Sequence, residues 1–274
     1  MLRAMPKRTR LDQALVQRGI APSRERAQAL VMAGKVRVAG GKADRAAMPV
    51  ADDATIEVEE PQPYVSRGGL KLAGALECLG EHLRVGGRVA LDLGSSTGGF
   101  TDVLLKKGAS RVYAVDVGKG QLDWKLRNDE RVVVMEGVNA REGFDLPEPV
   151  DLIVADLSFI SVRTAVPPSF RHLRDGGDAL VLVKPQFEAG REAVGKGGIV
   201  RDPAARRDSV LKVARAFEDH GLGPQRILTS QTPGREGNIE IFIHCRKGAP
   251  ATDPTRLRTE AEEAARGPAE PATS

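Results

Sequence analysis

The chain has 274 residues, a length that favours two domains over one or three. Its two cysteines, Cys78 and Cys245, lie far apart without metal-ligand spacing. A disulfide scaffold and a zinc module are therefore excluded, no metal site is expected, and a reducing cytoplasm fits. No apolar run approaches the ~20 residues of a membrane helix, and no signal peptide follows the basic amino terminus. The net charge of +4 is small but uneven: the first 45 residues carry eleven Lys and Arg against Asp12, Glu25 and Asp44. A local positive field of this kind attracts a polyanion, the bland alternative being a solvated basic face.

In chain order, residues 1–60 read as a small α/β module. Leu11, Ala14 and Leu15 share one helical face, and Ser23 after Pro22 caps a second helix with Ala27, Leu30 and Val31 inside. Lys35-Val-Arg-Val38 alternates as a strand, Gly40-Gly41 turns, and Thr55–Glu59 alternates again. Arg10, Arg18, Arg24 and Arg26 lie on or beside the helix pair, off its apolar face, with Lys35 at the strand entry. Arg10-Leu-Asp12, Ser23-Arg24, Ala27 and Gly34–Val38 resemble the S4 RNA-binding domain. The resemblance implies that the arginines face structured RNA, through phosphate contacts and shape.

Residues 61–66, with Pro61 and Pro63, are expected to be a stiff linker, and strands then alternate with helices over residues 67–247. Strands are predicted at Val89–Leu93, Arg111–Asp116, Arg131–Glu136, Asp151–Asp156 and Ala179–Lys184. Asp202-Pro203 starts a helix buried through Val210, Leu211, Ala214 and Phe217. Gln225–Ser230 and Asn238–Cys245 close the sheet as a hairpin, giving a Rossmann-like α/β fold of the methyltransferase kind. Residues 248–274, rich in Ala, Pro, Thr and Glu, are expected to be a loose tail.

The most informative stretch is Val89-Ala-Leu-Asp92-Leu-Gly94-Ser-Ser96-Thr97-Gly98-Gly99-Phe100, a strand, a turn and a helix start. Such a unit binds nucleotide-like cofactors. The middle glycine of a dinucleotide fingerprint is replaced by Ser96, and no Gly-Lys-Ser/Thr follows. A turn that need not hug phosphates, with Asp92 and hydroxyls free for an amino-acid moiety, suits S-adenosylmethionine. Asp116, about twenty residues on, stands where such folds hold ribose hydroxyls, or else caps the following turn. Asn139, after the third strand, is an open candidate for adenine.

Asp156 and Lys184 end apolar strands at the edge where ligands bind. Singly, Lys184 reads equally as a snorkelling lysine, Glu240 as a solvated strand residue, and Lys71 as one helix lysine among many. Together, two lysines and two carboxylates over the glycine turn supply what ribose methylation requires. The 2'-hydroxyl is a poor nucleophile whose proton must be removed while the methyl donor is held in line. Lys184 is the candidate base and Lys71 the second cation. Asp156 and Glu240 position them, Asp156 also steering the methyl group.

These residues resemble the Lys-Asp-Lys-Glu tetrad of the FtsJ-like ribose 2'-O-methyltransferases. More closely, the chain resembles the TlyA family, in which an S4 domain precedes that catalytic domain. The likeness runs through Val65-Ser-Arg67-Gly68, Lys71-Leu, Asp92–Thr101, Asp116-Val-Gly118, Asp156–Ile160, Lys184–Glu188, Gly197–Val200 and Gly237–Glu240. It implies methylation of cytidine ribose in ribosomal RNA or assembled subunits, with Arg67 among the RNA contacts. A monomer in the cytoplasm is expected. A ribosome-binding factor with a silent methyltransferase fold is the alternative. A cytolysin is disfavoured, because neither an export signal nor an amphipathic membrane segment is visible.

Overall fold

The computed structural model describes residues 8–59, 62–234 and 236–268, and the chain divides between Gln62 and Pro63 into two compact units. The first unit runs β1 (Arg8–Arg10), α1 (Leu11–Gln17), α2 (Arg24–Met32), β2 (Val36–Val38), β3 (Gly41–Lys42), β4 (Pro49–Ala51) and β5 (Ile56–Val58). Leu11, Ala14 and Leu15 pack with Ala27, Leu30, Val31, Val36 and Val50. The helical spacing of those residues dictates this core. Ser23 caps α2 by accepting from the Arg26 amide. β2 lies between β3 and β5, and β1 pairs with β4.

The second unit begins with α3 (Arg67–Leu79), β6 (Val89–Leu93), α4 (Gly99–Lys106), β7 (Arg111–Asp116), α5 (Trp124–Arg127) and β8 (Val132–Glu136). It continues through β9 (Val150–Ala155), α6 (Val162–Ala165), β10 (Leu173–Val183), α7 (Pro185–Glu188) and α8 (Pro203–Glu218). β11 (Leu222–Thr229), β12 (Ile241–Lys247) and α9 (Pro254–Arg266) complete it. The sheet order is β11-β12-β10-β9-β6-β7-β8, with β12 antiparallel to both neighbours and the other pairs parallel. Strand side chains alternate between two cores, as burial on both faces requires. Leu91 and Leu93 face Val210, Val213 and Phe217 of α8, whereas Ala90 faces Leu72, Leu76, Val103 and Leu104 of α3 and α4. The chain order reverses between β6 and β9, which opens a crevice beyond their carboxyl ends.

Two expectations need correction. Pro61 lies outside the described residues, but from Pro63 the supposed linker belongs to the second unit. The Val65 amide donates to Asp102 Oδ2 at 2.9 Å, and Lys106 Nζ donates to the Pro63 carbonyl. The supposed loose tail contains α9, capped by Asp253 with Pro254 in its first turn. Its inner face is Leu257 with Ala261, Ala264 and Ala265, mostly small residues at helical spacing that pack beside α8 and β11. Glu260 takes the Ile227 amide of edge strand β11 at 2.8 Å and Arg226 Nε at 2.8 Å. Residues 269–274 lie outside the described residues.

Candidate active site

The turn after β6 is built by close approaches. Gly94 has φ +80°, and a Cβ there would lie 2.6 Å from the Asp156 carbonyl oxygen. Gly98, at φ +96°, makes room for Leu122 and Leu126, so its glycine serves packing. A Cβ on Gly99 would stand 2.8 Å from the Gly69 nitrogen, so two glycines let the first turns of α3 and α4 touch.

Asp92 is fully buried, and Thr101 Oγ1 donates to its Oδ2 at 2.7 Å. Its Oδ1 has no donor among the described residues, and burial pushes the carboxyl up to about 7. An orphaned buried acceptor beside a glycine turn fits a ligand with an ammonium or hydroxyl donor. Asp116 accepts from the Ser96 amide at 2.8 Å and the Gly118 amide at 2.7 Å, so it does cap the turn. It keeps spare lone pairs at the end of β7. Ser96, at φ +48°, and Thr97 are exposed on the turn. Phe100 is buried, stacked on Phe242 with centroids 6.2 Å apart. Asn139 accepts from the Arg141 amide and donates to Glu142 at 2.7 Å, which occupies its amide locally.

The structure brings the four tetrad candidates together in two pairs. Asp156 follows β9 and Lys184 follows β10. β12 runs antiparallel to β10, so Glu240 at its start stands beside Lys184, the adjacent register pair being Val183 and Ile241. Lys184 Nζ lies 2.6 Å from Asp156 Oδ1, and Lys71 Nζ lies 2.6 Å from Glu240 Oε2. At these distances each ammonium and its carboxylate form a close ion pair. Lys184 also donates to Ser158 Oγ at 2.7 Å. Gly68, at the start of α3, abuts Asp156: a Cβ there would be 3.9 Å from Oδ2. Lys184 and Glu240 are buried, so each charge depends on its partner.

Sequence reasoning missed two residues here. Ser158 engages the lysine. Phe159 is 91% exposed at φ +65°, its ring 5.5 Å from that of Phe187. A bulky residue in left-handed backbone is strained by about 1–2 kcal/mol, and such strain concentrates at functional sites. The signal available was position, since each aromatic sits three residues after a tetrad member.

The six basic candidates for RNA contact divide. Arg10 and Arg24 both pair with the buried Asp12, at 2.9 and 3.0 Å, with their side chains still half exposed. Arg18 donates to the carbonyls of Ala51, Asp52 and Ala54, which makes it a strap across the first unit. Arg26 is exposed and Lys35 half-buried. Arg67 donates to the Pro233 carbonyl at 3.2 Å within the second unit.

The strand order, the glycine turn and the lysine–carboxylate pairs at its reversal place the second unit among Rossmann-like methyltransferases. Comparison with known families narrows the class: the FtsJ-like methyltransferase model matches residues 64–247, and the chain belongs to that family, in its TlyA branch. The S4 domain model matches residues 9–56. Over 248 residues the chain is 48% identical to the 16S/23S rRNA (cytidine-2'-O)-methyltransferase TlyA of Mycobacterium tuberculosis, covering 88% of this chain and 91% of the relative. Hemolysin A of Brachyspira hyodysenteriae is 42% identical over 86% of this chain and 98% of its own. A solved Streptococcus thermophilus structure, named provisionally as a hemolysin, superposes with a TM-score of 0.71 at 38% identity, covering 96% and 97% of the two chains. No helix among the described residues is long and apolar enough to cross a membrane.

Proposed function

We propose that the chain transfers a methyl group from S-adenosylmethionine to the 2'-hydroxyl of a cytidine in ribosomal RNA of the small subunit, the large subunit or both. The observation that carries this reading is the meeting of Lys184–Asp156 and Lys71–Glu240 at the crevice beside the β6 turn. The residues present fit the cofactor. The orphaned Asp92 Oδ1 suits its amino group, and Asp116 suits its ribose hydroxyls. When bound, it supplies a methyl group already activated on a sulfonium.

The protein's part is deprotonation and alignment. Lys184 Nζ has Asp156 and Ser158 beside it; entering the step as the neutral amine, it takes the proton of the substrate hydroxyl and ends as the ammonium paired with Asp156, while the hydroxyl oxygen takes the methyl group. Glu240 holds Lys71 as the second cation, which orients the substrate ribose beside Lys184. Phe159 offers an open face on which the base of the target nucleotide stacks. The first unit, with Arg10, Arg24 and Arg26 exposed, supplies affinity for the RNA backbone. The substrate implies action in the cytoplasm.

The test is transfer of labelled methyl to ribosomal subunits followed by digestion to nucleosides. Label on 2'-O-methylcytidine is expected; label on a base overturns the mechanism.

A further inference from the structure

We infer that Glu188 is a positioning residue for the methyl-transfer step: its carboxylate buckles the loop bearing Asp156, Ser158 and Phe159 to the turn bearing Lys184 and Phe187. The inference rests on the functional reading above and goes beyond it, because Glu188 touches neither substrate nor cofactor in that reading.

The Glu188 side chain is 1% exposed and ends the single-turn helix α7, which starts directly after Lys184. It accepts from Ser161 Oγ at 2.6 Å, from the Val162 amide at 2.7 Å and from Arg163 Nε at 3.0 Å. Three donors from consecutive residues on one buried carboxylate fix the start of α6 to α7. At its other end the loop is fixed by the Asp156 amide, which donates to the Leu93 carbonyl at 3.0 Å. Between these anchors, residues 157–160 make no backbone–backbone hydrogen bond among the described residues. What holds them is the packing of Leu157 against the core, the Ser158 contact to Lys184 and the Phe159 ring against Phe187.

The left-handed backbone at Phe159 survives only while both ends of the loop are held. Without the buckle the loop relaxes, Ser158 leaves Lys184, and Asp156 and the aromatic face lose their register with the base. The loop carries Asp156, one of the four tetrad residues, and the serine that engages Lys184, yet its geometry is set by a residue four positions beyond the lysine. The glutamate that closes Lys184-Pro-Gln-Phe-Glu188 thereby acquires a role.

The experiment uses the full chain as wild type, Glu188→Gln, Glu188→Ala and Arg163→Ala. It measures kcat, the KM for S-adenosylmethionine, and amide hydrogen exchange. Expected for Glu188→Ala is a tenfold or greater fall in kcat, with the cofactor KM within twofold and faster exchange confined to residues 157–163. Glu188→Gln, whose amide oxygen still accepts from the Val162 amide, should recover part of the loss. Arg163→Ala, which removes one half-exposed donor and leaves the fold intact, should lower kcat about threefold. Wild-type kcat in Glu188→Ala, or unfolding of that variant together with an unaffected Arg163→Ala, overturns the proposal. Absence of ribose methylation by the wild type would instead sink the functional reading itself.

Discussion

Cofactor affinity should rise with pH through neutrality, and Asp92 is the reason. Burial pushes its carboxyl up to about 7, against the pull of the Thr101 hydrogen bond and with added repulsion from Asp156 and Asp116. The cofactor's ammonium requires the anion at Oδ1. If only that form binds, apparent affinity scales with the ionised fraction, about 0.1 at pH 6 and about 0.75 at pH 7.5. Binding should therefore tighten about eightfold over that interval, roughly 1.2 kcal/mol, with proton release at the lower pH. The same shift destabilises the ligand-free protein as pH rises. Asp92's contribution is complete below about pH 4 and is lost as pH climbs through about 7, because the folded value lies above the unfolded one. Titration calorimetry of wild type and Asp92→Asn at pH 6 and 7.5 tests this. The variant should bind more weakly and without the pH step. A flat wild-type profile, or one falling toward pH 7.5, would refute the reasoning.

Phe159→Ala should weaken productive RNA engagement about tenfold in kcat/KM, as loss of one base-stacking face costs about 1–3 kcal/mol, while calorimetric cofactor binding stays unchanged. Asp12→Ala should destabilise the first unit by about 2 kcal/mol, because Arg10, Arg24 and Gln28 lose a buried partner. The Arg10 hydrogen bond holds that carboxyl well below the usual carboxylate range. The stability it contributes is therefore complete above about pH 4 and lost on acidification below, which an acid titration followed by circular dichroism will show. Glu260→Ala should cost about 2 kcal/mol by stranding the Ile227 amide and Arg226, seen as a fall of about 5 °C in the melting temperature of the second unit.

The central strands were legible because both of their faces are buried. Runs such as Val89–Leu93 and Arg111–Asp116 end where the polar turn begins, and the observed strands have those bounds. β10 starts earlier than its apolar run, at Leu173. The Arg-Asp-Gly-Gly stretch reads as a turn, and only the irregular pairing across Val150 and Leu152 makes it strand. α9 was missed because its inner face is mostly alanine, a weak hydrophobic signal, although Asp253-Pro254 repeats the Asp202-Pro203 start that identified α8. The tetrad residues could be named from sequence, but which lysine meets which carboxylate could not. That is decided by the pairing of β9 with β10, which sets Asp156 against Lys184, and by the packing of α3 that brings Lys71 to Glu240, both non-local facts. Asp12 counts in sequence as one acid among many bases, whereas in the fold it gathers two of them. Phe159 stands in the sequence only as part of Asp156–Ile160, and its exposure and positive φ are seen only in the fold.

The central claim is that Lys184 removes the ribose proton, and methyl transfer by Lys184→Ala measured beside calorimetric cofactor binding tests it most directly. The account predicts transfer to ribosomal RNA lost by at least a thousandfold, on the scale of general-base removal, with cofactor affinity within about threefold of wild type. Substantial transfer by the variant, or loss of transfer only in step with loss of cofactor binding, would contradict it.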